Sequence, residues 1–401
     1  MKSADNKPVR SSDERLAIRL QYAFAKAEQR GAELDNSVFS VLSAIRTAGS
    51  ISLGAARLGL SYRHVWGALR AWDAMFGAPL VARVQGQRTR LTGFGERLLW
   101  AERRARTRMQ PHIDALRTNL ARIVAEASDE RQQILTLHAS HDLALPRLRE
   151  HAAQRASLHL DIRFMGSMDS LRSLGAGRCL VAGFHVPALQ GAAPVFARAL
   201  KPLLKPGLHK LIGCSQRLQG LMMRREHAAA VHTIADLAGS PLRFINRQPG
   251  SGTRLLIDHL LQANGMRARN IAGYADRVEE THVAVAASIA SGVADVGPGV
   301  EAAALEFGLH FVPLVREDYF LACLQQHLEH PAVLRLCEVL ASSTWTDLLH
   351  ELPGYSPASA PGEVLKMTAV LPWWRFAGPK RSRTQSAPAS AVPKRRSRAR
   401  T

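Results

Sequence analysis

The sequence predicts a multidomain protein with an N-terminal winged helix-turn-helix, a long helix and then an α/β domain. Three observations predict this order. Short helical patterns are dense over residues 36–92, and one long helical pattern covers 93–128. Short apolar strands then alternate with helices over 133–355, which is typical of α/β domains. A chain of 401 residues is long enough for two or three domains.

Three short helices are predicted before residue 77. Val41, Leu42 and Ile45 give the first helix an apolar face that ends at Gly49. Ser52 and Ser61 are expected to cap the second and third helices, because serine oxygens accept hydrogen bonds from first-turn amides. The core face of the third helix recurs at steps of three and four residues and consists of Val65, Leu69, Trp72 and Phe76.

The opposite face of the third helix and the hairpin that follows it are rich in arginine. PLVARVQGQRTRLT is typical of two short strands around a turn at Gln85–Gln87, which would form a basic wing. Arginine side chains near the start of a recognition helix can read guanine in the major groove. A plain helical bundle with exposed arginines is the alternative, and Trp66 suits the core equally well. The expected DNA-contacting residues are Ser61, Tyr62, Arg63, His64, Trp66, Arg70, Arg83, Arg88 and Arg90.

The stretch AGSISLGAARLGLSYRHVWGALRAWDAMFGAPLVARVQGQRTRLTGFGERLL resembles the N-terminal domain of molybdate-responsive (ModE-type) regulators, relatives of the LysR-type regulators. The pieces that carry the resemblance are GSIS, AARLGLSY, FGAPLV and the pattern LTxxGxxL, all within residues 36–100. The resemblance implies a dimeric transcription factor that places its third helix in the major groove of an operator in double-stranded DNA.

The long helix predicts a homodimer through residues 93–127. Thr92 can cap it, and Pro111 is expected to kink it or split it in two. Its apolar stripe needs a partner, which is either a second copy or the following domain of the same chain. The stripe consists of Phe94, Leu98, Ala101, Ala105, Met109, Ile113, Leu116, Leu120, Ile123 and Ala127.

In the α/β domain, small polar residues follow strand after strand and precede helix starts. Ligands bind at such carboxyl-end loops, and hydroxyls with helix N-terminal amides suit a small anion. NRQPGSGTR lacks the spacing of a nucleotide-binding loop, and no metal motif is found. Ser140, His141 and Asp142 are adjacent and cannot form a relay, and His141 and His282 are expected to make loop hydrogen bonds. The expected ligand-binding residues are Ser140, Ser167, Arg247, Ser251, Thr253 and Thr281.

Residues 133–355 resemble the periplasmic-binding-protein-like (type 2) domain of cytoplasmic regulators related to molybdate- and tungstate-binding proteins. The resemblance rests on ASHDLAL, GSMDSL, AGFHVP, FINRQPGSGTRLLIDHLL, THVAVAASIASGVADVGPGVEAAA and FGLHFVPLVREDYFL. It implies two lobes joined by strands that cross near Gln219–Arg224 and Phe311–Leu321, with an oxyanion, molybdate or tungstate, in the cleft. ModE-type regulators usually sense oxyanions with small β-barrel domains, which this chain lacks.

Charge and composition predict the kind of partner and the location of the protein. The net charge is +20, and residues 380–401 hold eight basic residues and no acidic one, which suits a polyanion partner. Four scattered cysteines, an N-terminus without an apolar signal region and the lack of a long apolar run predict a cytoplasmic protein without a membrane span. The expected domains are an extension (1–35), the winged helix-turn-helix (36–92), the linker helix (93–130), the effector domain (131–358) and a disordered basic tail (359–401).

The function that these features predict is a DNA-binding transcriptional regulator that senses a small oxyanion and uses no cofactor or metal. Two alternatives stay open at this point. One is a regulator that senses an organic anion, which an arginine pair and an aromatic surface in the cleft would favour. The other is an enzyme acting on an anionic substrate, for which the hydroxyl-rich loops show no evident base.

Overall fold

The computed structural model describes residues 37–82, 88–128, 133–188 and 193–374. The N-terminal domain contains three helices and a two-stranded antiparallel hairpin, in which Val81 pairs with Leu91. Its core is formed by the apolar faces predicted from the sequence, with Leu42, Ile45, Val65 and Leu69 almost completely buried. The elements are α1 (Ser37–Ala48), α2 (Ile51–Arg57), α3 (Tyr62–Phe76), β1 (Val81–Ala82) and β2 (Arg90–Leu91).

The caps of two helices show where the sequence prediction was right and where it was wrong. Ser61 caps α3 as predicted, because its side chain accepts a hydrogen bond from the backbone of His64. The cap of α2 is Ser50, which accepts from the backbone of Leu53, and Ser52 lies inside the helix. The helix therefore starts one residue after Ser50, because Gly49 adopts the left-handed conformation that ends α1.

The linker is one helix, α4 (Gly93–Ser128), which continues through Pro111, so the predicted split does not occur. Thr92 accepts a hydrogen bond from the backbone of Gly95, as expected of a cap. In the described residues no single helix is long and apolar enough to cross a membrane. The bent pair α1 and α2 passes the same test together by length and composition alone.

The α/β domain is organised by one curled sheet of eight strands in the order β11-β6-β10-β5-β3-β4, with β9 and β12 also paired to β6. A separate parallel pair is formed by β7 and β8. The strands are β3 (Gln133–Ala139), β4 (Leu158–Phe164), β5 (Val181–Pro187), β6 (His209–Met223), β7 (Asn246–Arg247), β8 (Val278–Glu279), β9 (Val296–Val300), β10 (His310–Leu324), β11 (Tyr355–Pro357) and β12 (Val364–Leu365). The helices are α5 (Ala144–Arg155), α6 (Ser167–Gly175), α7 (Ala193–Leu200), α8 (Gly252–Ala263), α9 (His282–Ala290), α10 (Glu301–Glu306), α11 (Pro331–Ala341), α12 (Ser343–His350) and α13 (Met367–Val370).

Two long strands, β6 and β10, divide this domain into two lobes. β6 pairs with β11 up to Arg217 and with β9 from Gln219 onward, so it crosses between the lobes at that point. β10 pairs with β5 from Glu317 to Cys323 and crosses just before that segment. We call residues 133–217 and 317–374 lobe 1, and residues 219–316 lobe 2. The predicted crossings lie on the same two strands.

Each lobe has its own buried core, and the lobes also contact one another. Trp345 and Leu135 lie in the main lobe 1 cluster, and Phe244 lies in the lobe 2 core. Leu256 of α8 in lobe 2 packs into the second lobe 1 cluster, beside Phe184. The lobes therefore meet in this structure, and the space between them is a narrow pocket.

The effector domain continues past the boundary expected at residue 358. Val364 and Leu365 pair with β6, and Met367 and Leu371 are buried in the second lobe 1 cluster. The assignment of residues 359–374 to the tail was therefore wrong, because the cover for these apolar residues comes from β6 and the second lobe 1 cluster. The rest of the predicted tail and the N-terminal extension lie outside the described residues.

Candidate functional site

A small pocket between the two lobes is formed by the loops that follow β3, β4, β7 and β8. It encloses about 70 Å³. The loops reach it because the carboxyl ends of the parallel strands β3 and β4 lie at the same edge of the sheet. All six expected ligand-binding residues line this one pocket: Ser140, Ser167, Arg247, Ser251, Thr253 and Thr281.

Helix N-termini from both lobes are directed at this space. Ser251 caps α8 and Thr281 caps α9 by accepting hydrogen bonds from backbone amides, so each hydroxyl still has its own proton to donate. Helix α6 begins at Ser167 after Gly166, with no side-chain cap. First-turn amides and the positive end of a helix favour a bound anion.

Arg247 is a buried cation in this pocket. Its Nη2 donates to the backbone carbonyl of Glu280, while its Nε and Nη1 are buried and have no hydrogen-bond partner among the described residues. Burial and the neighbouring Arg217 lower the pKa of Arg247 to about 9, so the group is still protonated at neutral pH. A buried guanidinium with two unpaired donors is costly unless an anion accepts from it.

Arg217, which the sequence analysis missed, also lines the pocket, but carboxylates already occupy its guanidinium. Its Nη1 donates to Asp142 at 2.7 Å and its Nε donates to Glu317 at 2.9 Å. Burial opposes its charge, yet Glu317 and Asp142 hold the pKa of Arg217 above its usual range. The two carboxylates balance the charge of Arg217. Among the described residues that line the pocket, Arg247 is therefore the cation that is free to bind an anion. The sequence feature that was missed is an arginine in the middle of a long, mostly buried strand.

A chain of contacts joins Ser140, His185 and Asp142. The Oγ of Ser140 lies 3.1 Å from His185 Nδ1, and His185 Nε2 lies 3.1 Å from Asp142 Oδ2. His185 from β5 therefore bridges Ser140 and Asp142, a contact that the sequence did not predict. Burial and Arg217 lower the pKa of His185, which favours the neutral ring.

This chain fixes the direction of the Ser140 proton. A carboxylate only accepts, so His185 Nε2 carries the proton and Nδ1 accepts from the Ser140 hydroxyl. Ser140 was expected to donate to a bound anion, but in this state it donates to His185. The hydroxyl of Thr253 is likewise directed at another side chain, because it donates to Gln219 Oε1 at 3.4 Å. The hydroxyls of Ser167, Ser251 and Thr281 are therefore better placed to serve as donors.

Two further histidines form part of the pocket wall. His141 packs against Phe164 with 4.5 Å between ring centres, and His282 begins α9. The Nε2 of His141 and the Nδ1 of His282 are buried without a partner among the described residues, so the loop hydrogen bonds expected of them do not involve these atoms. Burial and Arg247 lower the pKa of His141 to about 4 and that of His282 well below its usual value. Both rings are neutral at pH 7, and each offers one N–H donor.

The exposed face of α3 carries most of the predicted DNA-contacting residues. Tyr62, Arg63, His64 and Arg70 are exposed. Trp66 is half-buried against the N-terminal core, and the Arg70 guanidinium lies 5.8 Å from the centre of its ring. Trp66 therefore belongs mainly to the core.

The wing is described only in part. Arg88 and Arg90 are exposed beside β2, while Arg83 and the turn at 85–87 lie outside the described residues. The stem of Arg88 packs on the turn between α1 and α2, where a Cβ at Gly49 would come within 3.2 Å of Arg88 Cδ. The positions are those of a winged helix-turn-helix, and the contacts that these residues make with DNA stay a prediction.

Two family models match this chain. Residues 38–96 match the lysR family of bacterial regulatory helix-turn-helix proteins, and residues 148–341 match a PBP superfamily domain. The first match identifies the N-terminal domain as that of a DNA-binding regulator, and neither match indicates an enzyme. The narrower resemblance to ModE-type regulators remains a prediction.

The chain is also similar to proteins without an assigned function. It is 30% identical over 206 residues to the uncharacterized protein YvgK of Bacillus subtilis (strain 168), a match that covers 51% of this chain and 65% of that protein. It is 30% identical over 102 residues to an uncharacterized Clostridium pasteurianum protein encoded in the 5′ region of a 2Fe-2S ferredoxin gene, covering 25% of this chain and 89% of that protein. Among solved structures, an OxyR mutant from Corynebacterium glutamicum with bound H2O2 has a TM-score of 0.42 and 15% identity, covering 79% of this chain and 92% of that one.

Proposed function

We propose that this chain is a DNA-binding regulator whose PBP superfamily domain senses a small tetrahedral oxyanion, with its lysR-family helix-turn-helix as the DNA-binding part. Molybdate and tungstate are the preferred candidates. The observation that carries the proposal is Arg247, a buried cation with two unpaired donors in a pocket of about 70 Å³. A small anion that accepts from Arg247 would offset the cost of burying that charge.

The donor set favours an anion that carries no proton of its own. Around Arg247 stand the hydroxyls of Ser167, Ser251 and Thr281, together with neutral histidine N–H groups. The carboxylates of Asp142 and Glu317 are occupied by Arg217 and do not line the pocket. Molybdate, tungstate and sulfate are fully ionised at neutral pH and only accept hydrogen bonds. Phosphate retains a proton that needs an acceptor, and among the described lining side chains the one carboxylate is that of the exposed Glu280, so phosphate fits the buried part of this lining less well.

The size of the pocket argues against a larger organic anion. Pockets for drug-sized ligands are roughly 300–1,000 Å³, whereas this one is about 70 Å³. The features that would favour an organic acid are present only in part. A second arginine, Arg217, is occupied, and the aromatic pair of Phe164 and His141 forms one wall.

The exposed half of α4 supports a homodimer in the proposed mechanism. Met109, Leu116, Leu120 and Ile123 are all at least 40% exposed, so this part of the predicted stripe lacks cover within one chain. A second copy of α4 would bury it and would set two α3 helices at the spacing of two operator half-sites. We propose that the anion biases the dimer between two arrangements, by no more than its difference in affinity for them.

Calorimetry on the full chain tests the proposal. Molybdate, tungstate, sulfate, phosphate and malonate are titrated separately, and we expect molybdate and tungstate to bind with one site per chain. Arg247→Gln should weaken binding at least about 100-fold, because two charge-assisted hydrogen bonds contribute roughly 3–6 kcal/mol. Arg267→Gln, an exposed arginine of the same lobe, is the control and should bind as the wild type does. Preferential binding of malonate would instead support the organic-anion sensor.

A further inference from the structure

The long helix α4 contacts both lobes beside the anion pocket. It packs on β4 of lobe 1 and on α9 of lobe 2. Pro111, in the middle of the helix, lines the pocket itself. The pocket therefore has a wall from each lobe and a third wall from the helix that leads to the DNA-binding domain.

On the lobe 2 side, α4 is attached through a bidentate ion pair between Arg108 and Glu279. Arg108 donates to Glu279 through Nη2 at 2.7 Å and through Nε at 3.0 Å. The Glu279 side chain is only 4% exposed, and its Oε1 also accepts a hydrogen bond from the hydroxyl of Ser288, at 2.7 Å. The hydrogen bonds from Arg108 to Glu279 hold the pKa of Arg108 above its usual range, despite partial burial.

Glu279 belongs to the segment that builds one side of the anion site. It is the register partner of Arg247 in the β7–β8 pair. The next residue, Glu280, supplies the carbonyl that accepts from Arg247, and Thr281 then caps α9. A shift of Glu279 would therefore move the acceptor that positions the buried cation.

On the lobe 1 side the helix is held by a different contact. Thr118, which is 2% exposed, accepts a hydrogen bond from Arg149 of α5 at 3.0 Å. Pro111 lies between Arg108 and Thr118 on the same helix, so the part of α4 that lines the pocket is fixed to both lobes. A relative movement of the lobes must strain or release one of these two attachments.

We propose that Arg108 is a positioning residue of the anion site and that α4 is its third wall. Arg108 balances the buried carboxylate of Glu279 and so keeps residues 279–282 in the position that binds the anion. Without Arg108, that carboxylate is buried without a balancing cation, and the segment must move to hydrate it. Anion binding and the attachment of α4 to lobe 2 therefore favour each other. This inference rests on the proposed anion site.

A double-mutant cycle on the full chain tests it, with molybdate as the probe. Arg108→Gln should weaken molybdate binding by at least about fivefold, the low end of typical coupling between sites. Combining it with Glu279→Gln removes the unbalanced carboxylate, and the double variant should recover most of the lost affinity. Arg106→Gln is the matched control, because Arg106 is exposed on the same helix and pairs with Glu102 of that helix.

Hydrogen exchange of residues 104–118 gives a readout that is separate from affinity. In the wild type, molybdate should slow the exchange of these amides, because it favours the attached helix. In the double variant it should not, even though affinity has recovered, because the ion pair is gone. A variant that is merely destabilised would show no such recovery, and a thermal melt of each variant identifies that case.

The outcomes separate this inference from the proposed function. If the wild type binds none of the oxyanions, both fail. If it binds molybdate but Arg108→Gln binds equally well, the anion site stands and the role of Arg108 is refuted. The role is also refuted if the double variant binds no better than Arg108→Gln. If Arg108→Gln does not fold, the double variant decides: it should bind near wild-type affinity and lose the exchange response.

Discussion

Lowering the pH should destabilise the effector domain through the buried histidines of the pocket, and His141 allows the size of the effect to be worked out. Burial and Arg247 lower its pKa in the folded chain to about 4, whereas an unfolded histidine titrates near 6.5. Between these two values the unfolded state binds a proton that the folded state does not. Stability is therefore complete above about pH 6.5 and falls as the pH drops toward 4.

The magnitude follows from the size of the shift. One pKa unit corresponds to about 1.4 kcal/mol, so a full shift would remove about 1.8 kcal/mol between pH 7 and pH 5. The ring keeps some contact with the pocket space, so we expect a loss of about 1–2 kcal/mol from His141. His185 and His282 have pKa values shifted in the same direction and add to the total loss.

The assay is urea unfolding at pH 7 and at pH 5, followed by circular dichroism, for the wild type and for His141→Gln. The variant should lose about 1–2 kcal/mol less than the wild type between the two pH values. His232→Gln, at an exposed position in lobe 2, is the control and should behave as the wild type does. An equal loss for the wild type and His141→Gln would refute the idea that His141 is held neutral in the pocket.

Three further predictions concern the N-terminal half. Ser50→Ala should cost about 1 kcal/mol in chemical unfolding, as for other helix caps, while Ser52→Ala should cost little. Arg63→Ala should reduce discrimination between a selected operator and random DNA by about 1–3 kcal/mol in gel shifts, and an equal loss on both DNAs would make it a phosphate contact. Leu120→Asp should shift the chain from dimer to monomer in sedimentation, because it places a charge on the exposed apolar face of α4. Asn119→Asp, at the neighbouring exposed position, is the control and should leave the dimer intact. A dimer that survives Leu120→Asp would exclude this face as the interface.

The parts of the fold that were predictable are those with a local signal. Helical spacing identified the buried face of α3, and the serine before it identified the cap, because both are set by residues within one turn. The start of α2 was missed because Ser50 and Ser52 are both good caps, and the left-handed Gly49 decides between them. Residues 359–374 were missed because their burial depends on β6, which pairs with Val364 and Leu365 but lies about 150 residues earlier in the chain.

The residues of the candidate site were also predictable only where a local sequence signal marks them. Its hydroxyls were predictable, because each stands at a junction between a strand and the start of a helix, in the loop or in the first helical turn. Arg217 and His185 were not, because each lies within an apolar strand and meets Asp142 only when β3, β5 and β6 come together. Contacts between residues distant in sequence are set by sheet topology, on which a single sequence carries little information. For the same reason the pairing of Arg108 with Glu279, 171 residues apart, leaves no trace in the sequence pattern.

The two anion-binding sites that we propose differ in their chemistry, and the difference suits two different tasks. On α3 the arginines are exposed, so their charges are screened by salt and interact over a large surface, as DNA backbone binding requires. In the pocket a single free guanidinium is buried, and hydroxyls and helix amides supply the remaining donors, so screening is weak and shape decides which anion fits. The helix that connects the two sites also lines the second one, through Pro111. In the mechanism that we propose, a change in the pocket would act on α4 directly and would need no relay of distant contacts to reach the DNA-binding domain.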